Sequence, residues 1–289
     1  MKILIVGNGL IASAIVQKLE LEGHEILIFS RNFNKEIKSQ QVLGDIFDFE
    51  RFTDVLKWNP QVIINTAWIT TPGLYRDDIS NFAYSQFTSN LAKFIAHSSV
   101  QHLIVLGTCA EYGRQIEPCL AGVTRQIPSS LYAKQKVDAY ENANRILQET
   151  AVRFTWARIF YPYGPKQDSR RLIPKLIHGL KSGEQIKLKD ISSVYDWISS
   201  RDIAEAIYWA ITHELPVEID IGTSLGFTNL QVLAVLKELL NTTNRDESKC
   251  EHEYGHNEMF VISRESPILR SGWAPRDSLY SGLDWAVNS

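Results

Sequence analysis

The 289-residue chain is poor in cysteine, with only Cys109, Cys119 and Cys250. Three thiols without metal-site spacing are too few for a disulfide framework, which points to packing thiols in a reducing compartment. It also lacks a surplus of charge. The formal net charge is -3 with both signs interspersed, and no basic stripe is present of the kind that binds nucleic acid or an anionic membrane. No apolar stretch reaches membrane-spanning length, and the N-terminal MKILIVGNGL has one lysine and a short apolar run before two glycines, unlike a secretory signal. There is no internal repeat and no long linker. The histidines, His24, His97, His102, His178, His213, His252 and His256, form no metal constellation; His252 and His256 share a spacing but sit where helical patterning is missing. The expectation is a cytoplasmic enzyme-sized α/β fold with a small-molecule partner, and with no metal, nucleic acid or membrane.

Residues 2–6 are a short continuous apolar run ending at Gly7, as in a parallel strand buried on both faces. Gly7-Asn8-Gly9-Leu10-Ile11-Ala12 then fits G-x-G-x-x-A, with a helix predicted over 10–22 and a second apolar strand over 25–29. In that context the first Gly permits a tight turn, the second lets the backbone approach a pyrophosphate, and the helix amides point at the phosphates. A site for NAD usually carries an acid at the end of the second strand, and here Ser30 and Arg31 stand there. A hydroxyl and a guanidinium suit a 2′-phosphate, which favours NADP over NAD; a solvated loop arginine followed by Asn32 and Lys35 is the alternative. Asp45-Ile46 offers a carboxylate and an apolar face to an adenine, or Asp45 simply starts the helix predicted over 48–58. The strand over 61–64 ends in Asn65-Thr66-Ala67-Trp68, where small residues leave room for the ribose and phosphates.

A helix over 79–97 carries Ile79, Phe82, Ala83, Phe87, Leu91, Phe94 and Ile95 on a broad apolar face, which is core or in part a helix-to-helix subunit contact. The strand over 103–106 runs into Gly107-Thr108, at the strand end where open α/β sheets bind ligands. Thr108 can hydrogen-bond a reacting oxygen there, or merely close the strand as a β-branched residue. A polar loop with Pro118 and Pro128 follows, and then Tyr132-Ala133-Lys134-Gln135-Lys136. Tyr132 and Lys136 are one helical turn apart on one face, so an ammonium near a phenol of pKa roughly 10 can pull it toward neutrality, where a general acid works best. The same spacing also arises by chance on solvated helices. Further elements are predicted as a strand over 153–159, a helix over 172–182, a strand over 185–188, a helix over 202–213 capped by Asp202, a strand over 217–221, a helix over 229–241, a polar loop over 241–255 and a closing segment over 273–285.

Together these residues resemble the extended short-chain dehydrogenases/reductases, the group of nucleotide-sugar epimerases, dehydratases and 4-ketoreductases. The resemblance rests on the Gly7–Ala12 turn, Asp45-Ile46, Thr108 four before Tyr112-Gly113, Tyr132-x-x-x-Lys136, Arg158-Ile-Phe-Tyr-Pro-Tyr-Gly-Pro165, Asp196-Trp-Ile-Ser-Ser-Arg-Asp202 and Gly272-Trp273-Ala-Pro275. It implies a Rossmann doubly wound parallel sheet in residues 1–165, and a smaller C-terminal substrate-binding subdomain in 166–289 with elements returning to the main sheet. It implies Thr108, Tyr132 and Lys136 as catalytic residues, Lys136 also holding the nicotinamide ribose. The implied cofactor surface is Gly7, Asn8, Gly9, Leu10, Ile11, Ser30, Arg31, Asn32, Asp45, Ile46, Thr66, Ala67, Trp68, Leu106, Ile159 and Phe160, with Thr108, Cys109 and Tyr161 toward substrate. A homodimer is implied in which helices over 79–97 and 131–149 pair with their symmetry mates as a four-helix bundle.

The chain departs from the family pattern in several places. The glycine turn is one residue short. Cys109-Ala110 replaces the Asp-Glu of the 4,6-dehydratases, which argues against expulsion of a C6 hydroxyl. Tyr84 and Tyr161 stand where relatives carry Asn, and Tyr195 where an Arg grips the substrate diphosphate. The remaining candidate cations for a diphosphate are Arg170, Arg171, Lys175, Lys187 and Lys189, each of which is equally read as solvated surface. The reading is an NADPH-dependent reductase of a 4-keto (deoxy)sugar nucleotide. The alternatives are a nucleotide-sugar epimerase with tightly bound cofactor and, more distantly, a non-catalytic NAD(P)-binding redox sensor.

Overall fold

The structure, a computed structural model, describes residues 1–242, 250–253 and 258–289. The elements in the first half are β1 (Lys2–Val6), α1 (Leu10–Leu21), β2 (Glu25–Ser30), β3 (Gln40–Leu43), α2 (Phe49–Leu56), β4 (Val62–Asn65), α3 (Asn81–Ile95), β5 (His102–Thr108), one 3₁₀ turn (Cys109–Tyr112) and α4 (Leu131–Leu147). Those in the second half are β6 (Arg153–Ile159), β7 (Tyr161–Tyr163), α5 (Leu172–Ser182), β8 (Ile186–Leu188), β9 (Val194–Tyr195), β10 (Trp197–Ser199), α6 (Ser200–Thr212), β11 (Glu218–Ile221), β12 (Phe227–Thr228), α7 (Asn229–Leu239), β13 (Cys250–His252), β14 (Met259–Phe260), α8 (Pro267–Arg270) and α9 (Leu279–Asn288).

Among the described residues the main sheet has seven strands in the order β11-β6-β5-β4-β1-β2-β3, all parallel. Because β1 and β4 are neighbours while the chain leaves them toward opposite edges, their C-terminal ends flank the crevice where such sheets take ligands. Both sheet faces are covered. Ile3, Ile5, Ile28, Ile64 and Ile104 pack under α1 and α6, while Leu4, Val6, Phe29, Ile63 and Leu103 pack under α2, α3 and α4. That two-sided burial explains the uninterrupted apolar runs, since each fully buried aliphatic side chain is worth about 1.5–3 kcal/mol. The expected doubly wound Rossmann sheet is therefore present.

A smaller layer sits over the strand ends, built from β7 with β10, β8 with β13, and β9 between β12 and β14. Its core joins Ile173, Leu176, Leu188, Trp197, Val232 and Leu236. Asp196 is tucked beneath this layer, accepting from the Thr223 N–H (2.6 Å) and hydroxyl (2.6 Å) and from the Ser224 and Ile262 amides.

Several local expectations are corrected. Asp202 does not cap its helix: Ser199 does, and Asp202 instead accepts from the amides of Arg276 and Asp277, tying down the C-terminal segment. Asp48, not Asp45, caps α2, and Asp45 accepts from the Phe47 amide. Part of the loop expected over 241–255 is β13, paired parallel to β8; residues 243–249 and 254–257, with His256, lie outside those described. On α3 only part of the apolar stripe is core. Phe87, Leu91 and Ile95 are buried, whereas Ile79 precedes the helix and Phe82, Ala83 and Phe94 face outward. Periodicity marks an apolar face without saying what covers it.

Candidate active site

The glycine turn lies at the C-terminal end of β1. Gly7 has φ +107, and a Cβ there would meet Thr66 Oγ1 at 2.5 Å, so only glycine fits where β1 and β4 converge. Gly9 is the N-cap of α1, and no side chain caps the helix. A Cβ on Gly9 would meet nothing within 4 Å, so the chain is open on that side of the helix start. Asn8 donates to the Asn32 carbonyl (2.5 Å), as does the Ser30 hydroxyl (2.8 Å), which ties the turn to the end of β2. Arg31 is exposed and has no hydrogen bond or ion pair among the described residues. Ile46 is buried beneath this edge, and Thr66 donates to the Val6 carbonyl at 2.8 Å. Uncapped amides, an open approach at Gly9 and an unpaired guanidinium together fit a dinucleotide phosphate chain.

Tyr132 is in the first turn of α4, where Ser130 caps the helix by accepting from the Ala133 amide (3.2 Å) and the Tyr132 amide donates to the Arg76 carbonyl (2.8 Å). Burial pushes its phenol well above the ordinary range, and a hydrogen bond with the Thr108 side chain acts in the opposite direction. The structure thus brings Thr108 and Tyr132 together. Lys136, one turn on, is 4% exposed. Its Nζ donates to the Leu106 carbonyl (2.5 Å) and lies 3.8 Å from the centroid of the Trp68 ring. Burial pulls its ammonium down to about 7, opposed by the Glu111 carboxylate. Ile159 ends β6, the strand beside β5, and Phe160 follows it, both buried.

Glu111 was not among the expected site residues. It is fully buried and accepts from the Thr108 amide (2.8 Å), from Trp156 Nε1 (3.0 and 3.1 Å) and from Arg158 Nε (2.6 Å). Arg158 also meets Glu218 at 2.6 Å, and beside it Tyr112 donates to Asp220 at 2.8 Å. A Cβ on Gly107 would lie 2.4 Å from Trp156 Nε1 and 2.8 Å from Glu111, so this contact requires glycine there. The available signal was the Thr-x-x-Glu spacing of Thr108 and Glu111, a capping box that the structure forms.

Toward the small layer, Tyr75 packs edge-on against Tyr132 (5.0 Å) and Tyr161 against Tyr195 (4.5 Å), Trp197 (5.4 Å) and Phe260 (5.8 Å). Cys109 is buried with Cys119, Tyr112, Phe160 and Ile262, its thiol pushed up by burial. The cations read as substrate contacts divide. Arg171 lies 5.3 Å over Tyr75 and donates to the Thr70 carbonyl (2.5 Å), next to the site. Arg170 is held by Asp168 (2.6 Å) and Lys189 faces Glu253 (3.7 Å), both on the surface. The Tyr195 phenol donates to Asp190. Among the described residues no group of three His, Cys, Asp or Glu side chains could hold a metal ion, and no helix is long and apolar enough to cross a membrane.

Against known proteins, the sequence profile of the NAD dependent epimerase/dehydratase family matches residues 3–222. The chain belongs to that family. It is 26% identical over 165 residues to dTDP-glucose 4,6-dehydratase of Mycolicibacterium smegmatis, covering 55% of this chain and 50% of that protein. It is 28% identical over 188 residues to GDP-6-deoxy-D-talose 4-dehydrogenase of Aggregatibacter actinomycetemcomitans, covering 63% and 60%. The chain thus spans about half the length of these curated relatives. In fold it is similar to the UDP-glucose 4-epimerase of Thermus thermophilus solved with NAD, with TM-score 0.87, 22% identity and coverage of 100% and 98%.

The Lys136 environment makes stability depend on pH. An unfolded lysine keeps its proton up to about 10.5, whereas the folded site releases it near 7. The folded state therefore carries its full penalty below pH 7 and sheds it as the pH rises toward 10.5. Lys136→Met keeps an apolar stem and removes the charge, so we expect it to stabilise the protein at pH 6 by on the order of 1–3 kcal/mol, with the gain shrinking by pH 10. Urea denaturation at the two pH values reads this directly; a loss of stability at pH 6 contradicts it.

Proposed function

We propose that the protein is an oxidoreductase that reduces the carbonyl of a 4-keto (deoxy)sugar nucleotide with NADPH. The observation that carries this reading is the meeting of Thr108, Tyr132 and Lys136 in a fold whose glycine turn opens a helix that no side chain caps. Residues 1–165 then serve mainly the cofactor and 166–289 mainly the substrate. Gly7, Gly9, Leu10 and Ile11 would hold the pyrophosphate, Ser30, Arg31 and Asn32 the 2′-phosphate, Asp45 and Ile46 the adenine, and Thr66, Ala67, Leu106, Lys136, Ile159 and Phe160 the inner riboses and nicotinamide. When bound, the reduced dinucleotide supplies a hydride to the carbonyl carbon.

The protein supplies the proton and the placement. Thr108 hydrogen-bonds the reacting oxygen and shares its developing charge, and Tyr132 donates the proton that completes the alcohol. A phenol driven upward by burial is a poor acid, so the nearby cation at Lys136 is what brings the phenolate within reach. Dehydration is disfavoured because the one carboxylate of the 3₁₀ turn that follows Thr108, Glu111, is turned into the core and consumed by Arg158 and Trp156. Tyr75, Tyr161 and Cys109 would face the sugar, with Arg171 the cation best placed for a phosphate.

Tyr132→Phe preserves the ring and deletes the proton donor. We expect turnover to fall by roughly a hundred- to ten-thousand-fold with cofactor affinity nearly unchanged. The assay is NADPH oxidation with 4-keto-6-deoxy sugar nucleotides made in place by a dehydratase. Turnover near that of the parent sinks the mechanism, and stereochemical inversion without NADPH consumption hands the case to an epimerase.

Arg31→Ala should erase a preference for NADPH over NADH, measured as the ratio of the two dissociation constants by fluorescence titration. A parent that prefers NADH refutes the 2′-phosphate assignment. We also infer a homodimer through α3 and α4, because Phe82 (52% exposed) and Phe94 (47%) are uncovered and a groove between the helices is lined by Phe82, Gln86, Ser89, Gln135 and Asn142. Light scattering at micromolar concentration should give twice the chain mass, and a monomer overturns the inference.

A further inference from the structure

At the C-terminal end of β4, after Thr66 and Ala67, a crevice for a dinucleotide calls for small side chains, yet the next residue is Trp68. Its bulk costs space where space is wanted. Its position explains what that space is used for. The ring centroid lies 3.8 Å from Lys136 Nζ, the distance of a close cation–π contact. Among the described residues the ammonium makes one hydrogen bond, to the Leu106 carbonyl, and no ion pair.

The ring cannot turn away. Its Nε1 donates to Asn81 Oδ1 at 2.7 Å, and Asn81 is itself fully buried, with Nδ2 donating to the Tyr75 carbonyl (2.8 Å) and the Asp78 carbonyl (2.7 Å). Trp68 is also stacked against Tyr84, with centroids 5.6 Å apart and planes 24° from parallel. Asn81 and Tyr84 together fix the plane of the indole, and the indole offers its π cloud to Lys136.

We propose that Trp68 is a positioning residue of the reaction: its ring face holds the Lys136 ammonium in place beside Tyr132, and Asn81 holds the ring. This rests on the reading of Tyr132 and Lys136 as the proton-transfer pair. The contact substitutes for a carboxylate. A buried ammonium needs electrostatic support, but a carboxylate beside it would also stand next to the phenolate that Tyr132 must become, and would repel it. The π face supports the cation with no net charge. The other titratable or charged groups nearby are Tyr132 on the same helix, Glu111 behind β5, Tyr84 across the indole, and Tyr75 and Cys109 beyond Tyr132.

The test compares Trp68→Phe with Trp68→Leu in the full-length protein. Both lose the Asn81 bond and both are smaller than indole, so a loss that is merely structural falls on the two alike, and only Phe keeps a π face. The first readout is the Lys136 titration midpoint, followed by NMR of lysine labelled at Cε and assigned by the signal lost in Lys136→Met. The expected result is a midpoint lower than the parent's by about one pH unit in Leu and by clearly less in Phe. The second readout is the pH profile of kcat for NADPH oxidation, which should move with that midpoint in Leu and be largely restored in Phe. Equal midpoints in Phe and Leu, or no change from the parent in either, overturn the proposal. Full turnover in Tyr132→Phe with a displaced Lys136 midpoint in Trp68→Leu would instead overturn the reaction reading and leave the contact standing.

Discussion

The rest of the site depends on where one carboxylate sits. Glu111 lies wholly inside the protein and holds the Thr108 amide on one side and Arg158 on the other, so the last residue of β5 is fastened through the sheet to β6. Buried ion pairs are weak contributors to stability, because desolvation offsets most of the attraction, while loss of one partner is costly. Asp220, directly across from Arg158 in the β6–β11 register, shows the strain of such an interior: burial raises its carboxyl to about 7. What the arrangement secures is geometry. Thr108 cannot drift, Gly107 cannot be replaced by a bulkier residue, and the neighbouring Leu106 carbonyl that receives Lys136 is set by the same strand.

Lys136 is the complement of that fixed frame. It is a cation kept where cations are disfavoured, and the sheet, the indole and the carbonyl each hold it without neutralising it. Perturbed titration of this kind is common at functional sites, where groups are tuned by withholding water. Stability is given up locally in exchange for a lysine that stays responsive near neutral pH.

The parts legible in the sequence were those governed by local rules. The G-x-G-x-x-A turn, the uninterrupted β strands and the Tyr132–Lys136 spacing depend on backbone conformation and periodicity, and the structure places each of these elements with shifts only at their ends. What escaped were partnerships across the fold. Glu111 reads as an ordinary acid until Trp156 and Arg158 arrive from 45 and 47 residues away. Trp68 was noted for its place at the strand end, but its contact with Lys136 depends on Asn81 and Tyr84 as well. Asp202 looked like a cap because acids are favoured in first turns, and the backbone it serves is more than 70 residues further on.

The small layer has one more consequence, which concerns synthesis. Its strand pairs join β7 to β10, β8 to β13, and β9 to both β12 and β14, so it is not complete until residue 260 is available. The main sheet, by contrast, has all seven of its strands by residue 221. During translation from the N-terminus, every strand of the main sheet is therefore available while the cover over Tyr161 and Tyr195 still waits for chain inside the ribosome, although Ile268 and Trp273 join the core of that sheet only later. Until then Tyr161 and Tyr195 lack the Phe260 ring that packs against both, and a growing chain stalled between these two points would expose them to neighbouring molecules.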